Sequence, residues 1–506
     1  MVSRTLERPP HAPPKKAKPA PVDRPPASEA TTPLMKQYLE LKEAHPNEVL
    51  FFRMGDFYEM FFEDAEVVSR VLGIAVTSRA NGSDAYAMAG FPHHALDRYL
   101  PRMIAEGFRV AICEQVEDPA LVRGKRIVER QVIEVVTPGT LTDERLLEER
   151  STNFLLSLHL PRGKARARPC GLAWFEVSSG RFLVAEVARE RLEAELERIG
   201  PAEILVASGV LDAARGIVRG ADPGLGEEDD PASSEEAVLL AMLERHAPVT
   251  TVPDWVFHGR NALSAVKARF GLATLAGLGL SDQASYVAAA HAALHYVGEV
   301  KPGFLEHLER YGRGIELYQP DAHLCLDPAT ARCLEITRPL RDGAGSGGGR
   351  GPRGATLLGA IDRTQTAMGA RLLKEWLLSP LRQVAAIEAR QDAIAALLAA
   401  PEQHEALREG LKHVYDLERL AARAASGRAT PRDLALHLAM RGLALEPRLQ
   451  VGRFAVMEII VPPRPACDWC QSSLGGAHKP FTQRHITPLS TPPLMSESIM
   501  SVPTTP

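Results

Sequence analysis

Cysteine is scarce in this chain. Cys113, Cys170, Cys325, Cys333, Cys467 and Cys470 are spread over 506 residues, too thinly for a disulfide framework, which fits a reducing compartment. Long apolar runs are also missing. None reaches the roughly 18 residues of a membrane span, and the N-terminus opens on Pro, Lys and Arg instead of an apolar signal core. Together these absences point to a soluble, cytoplasmic protein with no membrane partner. No charge sign dominates either. The formal net charge is -4, so a nucleic-acid partner has to be held by local basic patches. A phosphate cradle is absent as well. The only Gly-Lys pairs, Gly124-Lys125 and Gly163-Lys164, are followed by Arg126 and Ala165, and neither has a glycine five residues earlier. That excludes a Gly-x4-Gly-Lys-Ser/Thr loop, and with it an ATP site of that kind. The glycine-rich stretch Gly343 to Gly354 lacks the same ending and reads as a surface loop.

What remains is globular composition, 45% hydrophobic and 24% charged, with length for roughly three domains. Residues 1–31 are proline-rich and carry Lys15, Lys16, Lys18 and Arg24, so they read as a disordered basic leader. Residues 32–145 are mixed α and β. Val49 to Arg53, Arg109 to Cys113 and Arg130 to Val136 read as strands. Asp56 to Leu72 reads as a helix: Asp56 can serve as its N-cap, Glu59 completes a capping-box spacing, and Phe57, Phe61, Ala65, Val68 and Leu72 recur near helical period. Thr137-Pro-Gly-Thr140 closes the unit as a turn.

Residues 150–262 form a second α/β unit. Leu172 to Val177, Ser178-Ser-Gly180 and Arg181 to Glu186 spell a hairpin. A helix from Arg189 to Ile199 and a strand at Ile204 to Val206 follow, and Glu227 to Asp230 is an acidic, solvated loop. Residues 263–450 are mainly helical. Met368, Leu372 and Trp376 form an apolar helix face that Pro380 terminates. Residues 451–506 are rich in Pro, Ser and Thr and lose helical period, an irregular tail unlike what precedes it. Its Cys467-x-x-Cys470, His478 and His485 depart from zinc spacing, because six residues separate the histidines. No metal site is expected. Glu176 and Glu186 on adjacent strands suggest a metal-dependent nuclease only if a third acidic residue joins them, and none stands at motif spacing.

Several ordered segments carry a family likeness: Arg53-Met-Gly-Asp-Phe-Tyr-Glu59, Met88-Ala-Gly-Phe-Pro-His-His94, Ala111 to Pro119, Val136-Thr-Pro-Gly-Thr140 and Val177 to Phe182. Further along stand Leu334-Glu-Ile-Thr337, Leu358 to Asp362, Met368-Gly-Ala-Arg371 and Asp416-Leu-Glu-Arg419. As a set they resemble MutS-type mismatch-recognition proteins from about Thr32 to Arg448. The resemblance implies a mismatch-binding domain, an α/β connector and an incomplete helical core or lever domain. It implies that Phe57 is an aromatic wedge that stacks on a mispaired base from the minor groove, and that Glu59 hydrogen-bonds the displaced base. A ring inserted between base pairs costs a few kcal/mol of unstacking, least where pairing is already poor. On residues alone, Phe57 is in phase with an apolar stripe and reads as core, and Glu59 reads as a plain capping residue. Arg53, Arg79 and Arg109 are candidate backbone-phosphate contacts or, equally, surface ion-pair partners. The basic runs Arg123 to Arg126 and Arg162 to Arg168 read as solvated loops.

The implied partner is double-stranded DNA with mispairs or small loops. Complete family members use ATP and magnesium, form homodimers and contact MutL-type proteins. Neither a catalytic residue nor an ATP-binding residue is expected in this chain. The expected ATPase and clamp regions would follow residue 450, so the sequence is expected to be truncated or frameshifted there. The alternative reading is a non-catalytic DNA-binding or interaction module that interferes with intact MutS. Missing partners for the helical half would leave its apolar faces marginal or aggregation-prone.

Overall fold

The computed structural model describes residues 32–81, 84–117, 128–161, 168–214, 235–301, 304–305, 314–340 and 356–436, with backbone alone for 78–81 and 84–85. The basic leader, the runs at Arg123 and Arg162, the acidic loop, the glycine-rich stretch and the tail with its Cys-x-x-Cys lie outside these residues, apart from Arg168 at the margin of its run.

Two six-stranded mixed sheets organise the first 320 residues. The first contains β1 (Val49–Met54), β2 (Phe57–Phe61), β3 (Thr77–Asn81), β4 (Asp84–Pro92), β5 (Val110–Gln115) and β6 (Arg130–Val136), in the order β3-β4-β2-β1-β5-β6. Only β1 and β5 run parallel; every other pair is antiparallel. Helix α1 (Pro33–Ala44) covers one face, α2 (Phe62–Leu72) and α3 (Leu96–Ala105) the other. Thr32 caps α1, its hydroxyl accepting from Met35 N, and Pro33 follows where a missing N–H costs nothing.

The expected helix from Asp56 is corrected here. Residues 57–61 are a strand, and α2 starts only at Phe62. Phe61, not Asp56, is the residue before the helix, and Glu59 is a strand residue opposite Phe52 and Gly90. Phe62 turns the chain from strand to helix with φ +52°.

The second sheet contains β7 (Leu155–His159), β8 (Cys170–Glu176), β9 (Arg181–Val187), β10 (Glu203–Ala207), β11 (Val249–Val252) and β12 (Ile315–Leu317), in the order β11-β10-β7-β8-β9-β12. The hairpin read from residues 172–186 is β8–β9. Helices α4 (Leu192–Ile199), α5 (Ser208–Ala214) and α6 (Glu235–His246) belong to this unit. Helices α7 (Gly259–Arg269) and α8 (Tyr286–Val300), assigned from sequence to the helical segment, pack on the sheet's other face. The backbones approach closely there: a Cβ on Gly171 would lie 2.1 Å from Ser285 O. One apolar cluster runs from α1 and the first sheet through Leu155, Phe175 and Phe182 to α8.

Glu203 sits at the join, fully buried. It accepts from Thr137 Oγ1 (2.6 Å), Gly139 N (2.9 Å), Thr250 Oγ1 (2.7 Å) and Tyr296 Oη (2.7 Å). The remaining helices are α9 (Pro328–Cys333), α10 (Leu357–Ile361), α11 (Ala367–Leu378), α12 (Val384–Leu398), α13 (Pro401–Leu411) and α14 (Leu417–Ala425). Their apolar cluster is small, Ala331, Ile336 and Leu378, and no residue of α12 or α13 is buried.

Candidate nucleic-acid interface

Phe57 stands at the end of the tight β1–β2 hairpin, directly after Gly55 and Asp56. Met54 pairs with Phe57 across the turn, and Gly55 has φ +56°. A two-residue loop of this kind favours glycine at its first central position. Strand alternation then fixes the side chains. Tyr58 and Met60 are 2% and 0% exposed on one face, while Phe61 is 1% exposed on the other. Phe57 shares a face with Phe61 but lies at the sheet's end, where it is 46% exposed. The Phe57 ring is thus presented to solvent by a strand whose other residues are largely buried.

Glu59 is half-buried, opposite Gly90. A Cβ on Gly90 would come 2.9 Å from Tyr58 O and 3.4 Å from Glu59 Cγ, so the glycine leaves room for the Glu59 side chain.

The turn is surrounded by polar side chains. Arg53 Nε donates to Gly55 O, and its Nη1 lies 3.6 Å from Glu114 Oε2. Tyr58 donates its hydroxyl to Glu114 Oε1. Burial, followed by that hydrogen bond, raises the Tyr58 phenol well above its usual range. His93 approaches Asp56 O with both its backbone N (2.8 Å) and its ring Nδ1 (3.1 Å). With its amide oxygen turned toward the turn, the orientation its neighbours demand, Gln115 accepts from Gly55 N (3.3 Å) and Arg130 Nη2 (3.0 Å). Arg130 is buried; its Nε donates to Arg53 O (2.6 Å), its Nη1 to Gln37 Oε1 (3.1 Å) and Val128 O (2.8 Å), and it lies 5.1 Å over the Phe52 ring. Burial lowers its affinity for its proton. The nearby Cys113 is a core thiol, pushed up to about 12 by burial.

Of the arginines singled out from sequence, Arg53 is engaged by Glu114 and the turn. Arg109 is paired with Glu48 and lies 5.7 Å over the Tyr296 ring, away from Phe57. Arg79 is placed only by its backbone, on β3 opposite Tyr86. Phe57 and Glu59 share one face of β2, whereas Arg53 stands opposite Tyr58 on the other face. Arg130, Gln115 and His93, which surround the turn, were not singled out from sequence, although Gln115 and His93 lie inside the segments that carried the family likeness.

The later segments of that likeness serve a different place. Arg371 forms a two-pronged pair with Asp416 (2.6 and 2.9 Å) and donates to Glu149 O (3.0 Å). Arg419 donates to Glu148 O (3.1 Å), Ser151 O (2.8 Å) and Glu176 Oε1 (3.3 Å). Arg150 grips Asp362 (2.7 Å), and Arg181 grips Glu375 (2.6 and 2.8 Å). The helical segment is therefore fastened to residues 148–151 by arginine–carbonyl bonds and the Arg150–Asp362 pair, and to the second sheet by the Arg181–Glu375 and Arg419–Glu176 pairs. The same pairing answers the nuclease reading: Glu176 is held by Arg419, while Glu186 lies at the opposite end of the β8–β9 ladder and accepts from Ser285 N.

Comparison with known families matches three domain models in order: MutS domain I over residues 32–145, MutS domain II over 153–309 and MutS domain III over 329–456. The chain belongs to the MutS family. Proteins called DNA mismatch repair protein MutS from Salinibacter ruber, Rhodopirellula baltica and Symbiobacterium thermophilum are 41%, 39% and 41% identical to it. The aligned parts cover 80%, 83% and 80% of this chain, and 40%, 45% and 42% of those MutS proteins. The chain thus spans less than half the length of the curated MutS relatives it matches. The described residues contain no helix long and apolar enough to cross a membrane.

Proposed function

We propose that the chain binds double-stranded DNA at mispairs or small loops and serves DNA mismatch repair, with Phe57 as the inserted wedge. The observation that carries this reading is the exposed Phe57 ring, fixed at the end of a strand whose other residues are largely buried. Wedge insertion unstacks one base step and kinks the duplex, and a mispair lowers that cost. Glu59, two residues along the same face, accepts a hydrogen bond from the displaced base. Its negative charge opposes close approach of phosphates where that bond is not made. Arg79 remains a candidate phosphate contact; Arg53 and Arg109 are engaged by the carboxylates of Glu114 and Glu48.

The domain reading belongs to the same proposal: mismatch-binding domain, connector and helical lever in that order. ATP with magnesium, pairing with a second copy and a MutL-type partner are proposed for the complete family member. The activity proposed for these 506 residues is DNA binding.

The test is Phe57→Ala, assayed against matched and G·T-mispaired duplexes. Preference for the mispair should vanish while salt-sensitive binding to both duplexes persists. An unchanged preference would sink the assignment.

A further inference from the structure

We infer that Arg53, His93 and Gln115 are positioning residues for the wedge: they hold the Gly55–Asp56 turn so that Phe57 is presented before DNA arrives. The inference rests on the mismatch reading of Phe57 proposed above.

A two-residue turn at the end of a sheet is ordinarily solvated and loose. Gly55 and Asp56 are indeed exposed. Yet three of their backbone polar groups are satisfied by side chains from three separate parts of the chain. Gly55 O accepts from Arg53 on β1, Gly55 N donates to Gln115 at the end of β5, and Asp56 O accepts from His93 just past β4. The third contact repairs a gap in the ladder. Phe57 pairs with Pro92, which has no N–H to give. His93, the next residue, instead supplies two donors to the carbonyl preceding Phe57. Because the acceptor is a carbonyl, ring Nδ1 must carry the proton.

Each of these side chains is itself held. Arg53 is kept in place by Glu114 and lies 5.7 Å over the Tyr58 ring. Gln115 shares its amide oxygen with the buried Arg130. A wedge on a loose turn would lose the ordering cost on every binding event; a wedge on a held turn does not. This arrangement also accounts for Arg53 without a phosphate: its Nε and one Nη serve the protein.

The experiment uses the full chain, with Phe57→Ala as control. Affinities for matched and G·T-mispaired duplexes are measured by fluorescence anisotropy across a salt series. Amide exchange of residues 53–60 is followed by mass spectrometry in the DNA-free protein. His93→Phe should lower the mispaired-to-matched affinity ratio about tenfold, the worth of one hydrogen bond of ordinary strength, and speed exchange in that segment. His93→Asn, which returns an N–H near the Nδ1 position, should restore both. Arg53→Gln should lower the ratio while the salt slope for matched duplex stays as in the parent.

A parental ratio and parental exchange in His93→Phe would overturn the inference. So would a salt slope in Arg53→Gln flatter by about one ion, the mark of a lost phosphate contact. If the parent chain shows no mispair preference, the mismatch reading falls; exchange alone then decides whether the turn is held, and unchanged exchange in His93→Phe overturns that too. Should His93→Phe fail to fold, His93→Asn is set against His93→Gln, whose donor reaches the Nε2 position instead. A higher ratio in the asparagine variant supports the inference, and equal ratios overturn it.

Discussion

Replacing Arg419 by methionine removes a buried guanidinium. Its side chain is 4% exposed and that of its partner Glu176 is 2% exposed. The guanidinium donates to two backbone carbonyls, Glu148 O and Ser151 O, as well as to the carboxylate. Breaking a buried pair from one side costs about 3–5 kcal/mol, and each carbonyl left dry adds about 1–3. Two effects oppose this. Glu176 keeps Ser179 Oγ (2.8 Å), Ser178 Oγ (3.3 Å) and Asn153 N (3.3 Å) as donors. Water can also reach the carbonyls once α14 shifts. The expected loss is therefore near the lower end, about 3 kcal/mol. Urea unfolding of parent and variant measures it, and limited proteolysis reports whether the segment 142–153 becomes cleavable. A loss below about 1 kcal/mol, the worth of a surface pair, would refute the reasoning by showing a guanidinium that was solvated all along. A double-mutant cycle with Glu176→Gln then isolates the pair from the carbonyl contacts.

Acid should loosen the helical segment before the sheets. For Asp362, Glu375, Asp416 and Asp433, burial pushes the carboxyl up, but hydrogen bonds and charge from Arg150, Arg181, Arg371 and Arg423, with local hydrogen bonds, bring it below its ordinary value. A carboxyl lowered in the folded state contributes stability that is complete above its unfolded value and lost as pH falls through the folded one. Exchange in α11 and α14 should therefore rise below about pH 4, ahead of exchange in β7–β10; sheets that open first would contradict this. Gly171→Ala places a methyl 2.1 Å from Ser285 O and 2.5 Å from Tyr286 N, which are backbone atoms that cannot swing aside. It should cost about 3 kcal/mol or more in urea unfolding, beyond ordinary overpacking; a neutral result would mean that α8 is not seated as described.

The readable parts of this fold were those governed by neighbours in sequence. The β8–β9 hairpin was legible because apolar strands flank Ser-Ser-Gly, which is a turn by its own chemistry. The misread helix at Asp56 shows the opposite case. Four of the five residues from Phe57 to Phe61 are apolar or aromatic, on both faces, so they fit a helical period as well as a strand. The Gly55-Asp56 dipeptide was the better signal, a hairpin turn directly after a strand. On α11 the residues read as an apolar face, Met368, Leu372 and Trp376, are only half-buried, while Arg371 is buried. No local pattern announces that, because its partner Asp416 is far along the chain. The candidate site divides in the same way. The family likeness singled out Phe57 and Glu59, whereas the support from Gln115, Arg130 and His93 depends on strands that meet only in three dimensions.

Glu203 ties separate segments of the molecule to one another. Its four donors come from the turn that closes the first sheet, from β11 and from α8, so none of these segments satisfies it alone. Until the last one arrives, the carboxylate keeps its water, and the interior around it cannot dry. A chain misplaced at any one of these segments therefore leaves a buried carboxylate short of a donor, at about 1–3 kcal/mol for each bond unmade.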